Sequence, residues 1–386
     1  MILLYKILCK LWCMLVLKYP RNRFSRNKPG RSTAESGTDM ERDKVSIYRI
    51  AEEAGVSPAT VSRVLTQKAN VSDEKKKKVE KLISKYHFSP NAMARGLTSS
   101  RSGIIGVLIP DIRNPFYAGL AVECEQAAHD RDYSLMLSNY MNDMELEEQR
   151  LYKMISQQID ALIIMGGRVD ELITDEVYAE RINHISNLMP VVITGKLDGS
   201  DCYQVNLDDS ASMDRVMEYL ISNGHRDICM IGGRKEVDST YTKRTRYRSM
   251  LHRYGIEFSP DYLVETGDYS MESGYRGMNS LIESTRKLPS AVIAINDLTA
   301  LGIIQSLREH SIGIPEDISL ISFDNTILAE TSVPRLTSMD YNYDQYGKTL
   351  IDTALAVLEG GKPQKIQIIP TELIIRDSCR NLNKGT

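Results

Sequence analysis

A small all-α helix-turn-helix headpiece followed by an α/β core of two doubly wound parallel-sheet lobes is the fold class this sequence predicts, on three observations. Capping and chain-breaking residues between 46 and 72 mark out three short helices. From Ile104 onward, short apolar runs alternate with segments of helical periodicity, as in parallel strands wound with helices. Charge changes sign at the same boundary: residues 1–44 carry 10 Lys and Arg against 4 Asp and Glu, residues 45–103 carry 11 against 5, and residues 104–386 carry 27 against 42.

The chain of 386 residues is 42% hydrophobic and 26% charged, enough to bury more than one core. Its formal net charge of −3 conceals a basic head on an acidic body, which predicts that the head alone meets a polyanion. Charge by itself equally fits a solvated lysine-rich face. The six cysteines form no CxxC pair and the six histidines no HxH or HxxxH spacing, so no metal site, cofactor or disulfide framework is indicated and the cytoplasm is the expected compartment.

Residues 1–20, MILLYKILCKLWCMLVLKYP, are apolar, but Lys6, Lys10 and Lys18 keep every run below the about 18 apolar residues that a membrane span needs. No A-x-A cleavage signal follows. A polar, unpatterned stretch then leads to Met40, directly before MERDKVSIYRIA. Met40 is expected to be the native start, with 1–44 an unstructured extension outside the fold; an N-terminal membrane anchor is the alternative.

Ser46 can cap a helix over 47–54, with Ile47, Ile50, Ala51 and Ala54 on one face, and Gly55 breaks it. Ser57 is a good N-cap and Pro58 suits a first helical position, which predicts a second helix to about Leu65. Ser72 caps a third, whose Val79, Leu82, Ile83 and Tyr86 recur at helical spacing behind the exposed lysines at 75–78. Two short helices joined by AGV form a helix-turn-helix signature.

The second helix, in AGVSPATVSRVL, is short and lightly decorated, as a helix entering a major groove about 12 Å wide must be. Ala54, Val56, Val61 and Val64 are expected to face inward, with Pro58, Ala59 and Arg63 outward. Ala59 can touch a thymine methyl, and Arg63 can pair with guanine O6 and N7. Ser57, Tyr48, Thr60, Ser62 and Asn70 are hydroxyl or amide groups suited to phosphates, which set register without specifying sequence. A small helical cap without a ligand is the plainer reading.

VSIYRIAEEAGVSPATVSRVL, then NVS and FSPNAMARGLTSSRSGIIGVLIP, resembles the headpiece, hinge and first core strand of the lactose-repressor (LacI/GalR) family of bacterial transcription regulators. The resemblance runs from about Val45 to Arg376, and it implies a periplasmic-binding-protein-like core. One departure is Thr66-Gln67, where the family usually has Asn-Gly. After Ser89-Pro90, the segment NAMARGL is too short and glycine-weakened to hold a helix alone and is expected to fold on DNA. The resemblance implies that it enters the minor groove with Asn91 and Arg95, and that Leu97 wedges between base pairs. A plain linker is the other reading of 90–103.

In the body, IIGVLI, SLMLS, ALIIM, PVVIT, DICMIG, AVIAIN and SLISF read as buried strands, with helices at 116–131, 145–158, 210–223 and 297–309. About 270 residues of this pattern predict two lobes with a cleft. Ligands in such sheets sit beyond the carboxyl ends of strands. Those ends carry Asp111, Asn114, Phe116 and Tyr117, the Met165-Gly166-Gly167 turn, Asn296-Asp297 and Phe323-Asp324-Asn325. Carboxylates and amides beside aromatic rings suit a polyhydroxylated ring, although an Asp at a strand end is often a helix cap. The resemblance adds Arg246 in KRTRYRSM and Tyr269 in GDYSMESGYRGM as effector contacts, with Ser249 standing in place of a usual glycine. It also implies crossovers near 204–206, 339–342 and 367–370, so that the lobes are 104–204 with 341–368 and 205–340 with 369–380.

No G-x-S-x-G, P-loop or G-x-G-x-x-G occurs, so no catalytic residues are assigned. The expected protein is a DNA-binding transcription regulator, a repressor with a sugar-class effector in its core, acting as a homodimer on a palindromic operator. A periplasmic-type solute-binding protein with an N-terminal leader is the rival; it would have no use for residues 45–89.

Overall fold

The computed structural model describes residues 47–65, 71–86, 101–285 and 287–383, and the chain divides into two compact units, 1–90 and 91–386. Residues 1–46, 66–70 and 87–100, and with them Ser46, Asn70, Asn91, Arg95 and Leu97, lie outside the described residues.

Three helices build the first unit: α1 (Ile47–Ala54), α2 (Pro58–Leu65) and α3 (Asp73–Tyr86). Gly55 closes α1 at φ +65, with Val56 N–H donating to Ala51 O (2.9 Å) and Gly55 N–H to Glu52 O (3.1 Å), a turn a β-carbon would strain. Ser57 Oγ accepts from Thr60 N–H (3.2 Å) and starts α2. Ile50, Ala51, Val61, Val64 and Val79 are buried together, one small core drawn from all three helices. Lys85 Nζ and Tyr86 Oη both donate to the Glu53 carboxylate (2.6 and 2.5 Å), tying α3 to α1.

The second unit holds two six-stranded sheets. The first comprises β1 (Ile104–Ile109), β2 (Ser134–Asn139), β3 (Ala161–Met165), β4 (Val191–Thr194), β5 (Tyr203–Leu207) and β11 (Ile366–Ile369), in the order β11-β5-β4-β3-β1-β2. All its pairings are parallel. The second comprises β6 (Ile228–Ile231), β7 (Leu263–Val264), β8 (Ala291–Ala294), β9 (Ser319–Asp324), β10 (Thr337–Asp340) and β12 (Glu372–Ile374), in the order β12-β10-β9-β8-β6-β7. Its pairings are parallel, as expected, apart from the edge strand β12, which runs antiparallel to β10. It enters straight from β11 in the other lobe, with no helix to carry the chain back to a parallel start.

Helices cover both faces of each sheet. In the first lobe α4 (Pro115–His129) and α12 (Tyr343–Leu358) bury Leu120, Cys124, Leu350 and Ile351 against Ile163 and Met165 of β3. On the opposite face α5 (Met144–Ser156) and α6 (Glu176–Ser186) bury Leu151, Met154 and Ile182 against Leu162 and Ile164. In the second lobe α7 (Asp209–Ser222) and α8 (Asp238–Arg253) cover one face, and α9 (Met271–Ser284) and α10 (Asp297–Glu309) the other. The short helix α11 (Ile327–Thr331) follows β9. Strands covered on both sides alternate between two cores, which is why they read as unbroken apolar runs.

The chain passes between sheets after β5, after β10 and after β11. These passages fall near 207–209, 340–343 and 369–372, a few residues beyond the expected segments because β5 and β11 stay in the first sheet as far as Leu207 and Ile369. The third is tied to the first turn of α7, where Ser212 Oγ and Thr371 Oγ1 lie 2.8 Å apart.

The backbones of α9 and α10 touch at Gly274 and Gly302: a β-carbon on Gly302 would lie 1.9 Å from Met271 O. Gly302→Ala is therefore expected to lower the unfolding free energy by about 1–3 kcal/mol, read as an earlier urea midpoint at unchanged slope. An unchanged midpoint would mean that the helices can separate freely.

Candidate nucleic-acid interface and ligand cleft

On α2 the side chains divide as the sequence predicts. Val61 and Val64 are buried and Ala54 and Val56 half-buried, while Ala59 and Arg63 are exposed and Pro58 partly so. Ser57 Oγ lies 3.0 Å from Thr60 Oγ1, so the two hydroxyls cap the helix together at its exposed start. Tyr48 on α1 is 70% exposed, and Ser62 is half-buried. The exposed turn of α2 therefore offers a small methyl, a proline ring, two hydroxyls and a guanidinium on a rigid support, with no bulky group to hold its backbone away from a ligand.

In the core, several of the expected ligand residues are committed to neighbouring strands and helices, and the others are not. Asn114 caps α4, accepting from Phe116 N–H (3.1 Å), and Asp111 is held by Arg113 Nε and Nη2 (2.9 and 2.7 Å), which keeps its carboxyl below the usual range. Asn296 caps α10 through Thr299 N–H (2.9 Å) and donates to Tyr269 O (3.2 Å). Asp297 is saturated: one oxygen accepts from Ser322 Oγ (2.6 Å) and Ser338 Oγ (2.9 Å), the other from Thr326 N–H (2.6 Å) and Oγ1 (2.9 Å). These four residues stitch strand ends to helix starts, the capping role weighed against a ligand role for such positions.

Phe116 and Tyr117 open α4 and form an aromatic wall with Tyr341 and Tyr343 from the second passage. The Phe116 ring lies 5.0 Å from Tyr117 and 5.9 Å from both tyrosines. Gly166 at φ +62 makes room for this wall, since a β-carbon there would lie 2.2 Å from Tyr117 Oη. Tyr269 Oη meets Thr240 Oγ1 (2.8 Å). Asp324, at the end of β9, has φ +97 and is followed by Asn325 at φ +51. Two non-glycine residues in left-handed conformations at a strand end mark a strained, over-determined site.

Arg246 is a correction. Its guanidinium binds Asp214 on α7 (2.6 and 2.5 Å) and is over a third exposed, so it is committed to a surface ion pair. The buried positions of α8 are Thr240, Lys243, Arg244, Tyr247, Met250 and Leu251, a helical stripe that Arg246 falls outside. The cation that sequence reasoning missed is Lys243, whose ammonium pairs with Asp209 and lies 5.2 Å from the centre of the Phe323 ring. Arg244 beside it donates to Gly232 O (2.9 Å) and Gly233 O (3.2 Å), fixing the turn after β6. A count of helix faces over 238–253 would have found both, but the segment is so rich in charge that it does not read as a helix with a buried side.

A second group missed in the sequence joins the lobes at the rim. Ser239 Oγ donates to Asp170 (2.8 Å), Leu172 N–H to Glu236 O (2.7 Å), and Arg234 pairs with Glu171 (3.3 Å). Burial pushes the Asp170 carboxyl up to about 7, against the Ser239 hydrogen bond and the Lys243 charge. Burial likewise holds Asp209 above the usual carboxylate range despite Lys243, and Asp324 well above it, reinforced by the nearby Asp297 and Asp209 charges. No group of three or more His, Cys, Asp or Glu among the described residues is placed to hold a metal ion.

A family model described as bacterial regulatory proteins, lacI family, matches residues 46–91, and a periplasmic binding protein-like domain model matches residues 217–379. Catabolite control protein A of Staphylococcus epidermidis is 36% identical over 297 residues, 76% of this chain and 87% of that protein. Among solved structures, the lac repressor dimer bound to operator and the anti-inducer ONPF matches with a TM-score of 0.77 at 24% identity, over 87% of this chain and 99% of that one. The transcriptional regulator CelR–cellobiose complex matches with a TM-score of 0.63 at 22% identity, over 87% of this chain and 100% of that one.

Removing Lys243, which is itself buried, leaves the mostly enclosed Asp209 carboxylate without its partner, so Lys243→Met is expected to cost about 3–5 kcal/mol, whereas Arg246→Ala breaks a partly exposed pair and should cost far less. Urea unfolding of both variants checks this, and equal costs would contradict the assignment. For Asp170 the folded carboxyl titrates about 7 and the unfolded one near 3.9. Between these values the native state keeps a proton that the unfolded chain has lost, so its contribution to stability is lost as pH rises through that window. Asp170→Asn should therefore raise Tm relative to the natural protein more at about pH 8 than at about pH 5; a gain independent of pH would show that the carboxyl is not buried as described.

Proposed function

This chain belongs to the lacI family of bacterial regulatory proteins, and we propose that it is a transcriptional repressor whose hold on a palindromic operator is set by a small polyhydroxylated effector bound between the lobes of its core. The protein is a DNA-binding regulator with an effector-binding core. One helix-turn-helix reads one half-site, so a homodimer matches the twofold symmetry of the operator.

The observation that carries the reading is the division of α2 into a buried valine stripe and an exposed turn of small and polar residues. In the proposed complex Ala59 and Pro58 let the backbone approach the base edges, and Arg63 reads a guanine. Ser57, Thr60, Tyr48 and Ser62 contact phosphates, as would Asn70; Asn91, Arg95 and Leu97 would act in the minor groove. In the core, Phe116, Tyr117, Tyr269 and Asp324 contact the effector, with Lys243 in the role first given to Arg246. Asp111, Asn114, Asn296 and Asp297 support that set from behind. The effector acts by preferring one arrangement of the lobes. We assign the protein to the cytoplasm, where its DNA lies, and give it no enzymatic activity. The rival reading as a solute-binding protein leaves the lacI-family headpiece without a purpose.

Fluorescence anisotropy with duplexes from upstream of its own gene tests the reading. A preferred duplex should be found whose affinity falls steeply with added salt, and Arg63→Ala should weaken it by about 1–3 kcal/mol while reducing discrimination at one base pair. Binding indifferent to sequence, to salt and to Arg63 would overturn it.

A further inference from the structure

A cavity of about 430 Å³ opens at the hinge, within the range of about 300–1,000 Å³ that small-molecule sites occupy. Its walls are Asp340 and Asn342 of the second passage, Pro370, Thr371 and Glu372 of the third, and Arg215 of α7. None of these is among the residues assigned above to the effector. Opposite charges share this space without meeting. The Arg215 guanidinium donates to Thr371 O, and among the described residues no ion pair joins it to Asp340 or to Glu372. Asp340 is already committed: one oxygen accepts from Asn325 Nδ2 (2.9 Å) and the other from Asn342 N–H (3.0 Å). The charges left over are therefore the exposed guanidinium of Arg215, carried on a helix, and the exposed carboxylate of Glu372, carried on β12.

A guanidinium and a carboxylate on fixed supports, facing one cavity and unpaired with each other, match a ligand that carries both signs of charge. The guanidinium presents a planar fork that fits a carboxylate, and the carboxylate accepts N–H bonds from an ammonium, the two strongest kinds of polar contact a small molecule can make here. A simple anion would gain the first contact and meet Glu372 as a like charge; a simple cation would gain the second and meet Arg215. We infer that the hinge cavity is a second ligand site, distinct from the effector cleft, that takes a small zwitterion, an α-amino acid in kind, with its carboxylate on Arg215 and its ammonium on Glu372.

The place of this cavity gives its occupant leverage over the lobes. Two of the three passages form its walls, and Arg215 lies on the helix that follows the first. Thr371 is buried and fixed to α7 through Ser212 (2.8 Å), and Asn342 is held in a left-handed conformation at φ +50 just before α12. Asp340 links the wall to the effector cleft, because the Asn325 that donates to it follows the strained Asp324 and accepts from Arg376 Nη2 (2.7 Å). A ligand that bridges α7 and β12 thereby favours one setting of the passages, and its binding is coupled to that of the effector through the same lobe equilibrium.

Thermal denaturation of the full-length protein with each of the twenty protein amino acids, at about 10 mM, finds the ligand, and at least one should raise Tm. Calorimetric titration with that amino acid, with its deaminated acid and with its decarboxylated amine then separates the charges. The amino acid should bind about tenfold or more tightly than either analogue, the scale of one charge-assisted contact. Arg215→Gln and Glu372→Gln should each weaken it by a similar factor. Glu372 makes no side-chain contact that the fold needs, so its variant reports on the site even if loss of the Arg215 bond to Thr371 disturbs the hinge. No shift with any amino acid, an analogue of single charge that binds equally well, or binding that survives in both variants would each overturn the inference. Operator affinity at saturating amino acid should change about fivefold or more; an affinity that ignores the bound amino acid would overturn the regulatory part. The binding measurements do not depend on the DNA-binding reading, so the two can fail separately.

Discussion

Threading one chain three times between two mostly parallel sheets is the constraint from which the rest of the core follows. Each lobe borrows its last pieces from the far end of the sequence: α12 and β11 complete the first sheet, β10 and β12 the second. Neither can form fully without the other, and the last passage is held against α7 by the contact of Ser212 with Thr371. Parallel pairing also fixes where the strand ends fall. β1, β3, β6, β8 and β9 all finish in loops that feed the cleft, so the residues there answer to strand geometry before they answer to any ligand.

That ordering explains why so many polar groups near the cleft prove to be scaffolding. Asn114, Asn296 and Asp297 satisfy the first turns of helices that must begin where strands stop, and an uncapped helix start buried between lobes would be costly. What remains after the scaffold is satisfied is a smaller set: an aromatic wall, Lys243 with Asp209, and the strained Asp324. The Asp170 to Ser239 contact belongs to both lobes at once, so any ligand that alters the cleft acts on the rim as well.

The headpiece was legible because each of its boundaries is written in a residue with a backbone reason to be there: Gly55 at positive φ, Ser57 as cap, Pro58 at the first turn. The fully buried strands were legible for a different reason, since covering on both faces leaves unbroken runs such as ALIIM and AVIA. The strands that escaped notice are short or polar. β10 reads TSMD, and β11, at an edge, exposes Ile366 and Ile368. The helix α8 escaped through its charge, and with it the difference between Arg246, which faces Asp214, and Lys243, which is buried against Asp209 and Phe323. Motif resemblance located the helix, and its buried stripe distinguishes Lys243 from the outward Arg246. The rim contacts had no local signal at all, because residues 170–172 and 234–239 meet only once both lobes have folded.

In the proposed mechanism closure between the lobes governs the grip on DNA, and the rim allows this closure to be fixed by chemistry. With Asp170→Cys and Ser239→Cys joined by a disulfide, the lobes are held in the closed arrangement. Operator affinity of the oxidised protein is predicted to stay at a single value whatever metabolite is added, and to regain its response on reduction. Oxidised and reduced proteins that respond identically would contradict the account.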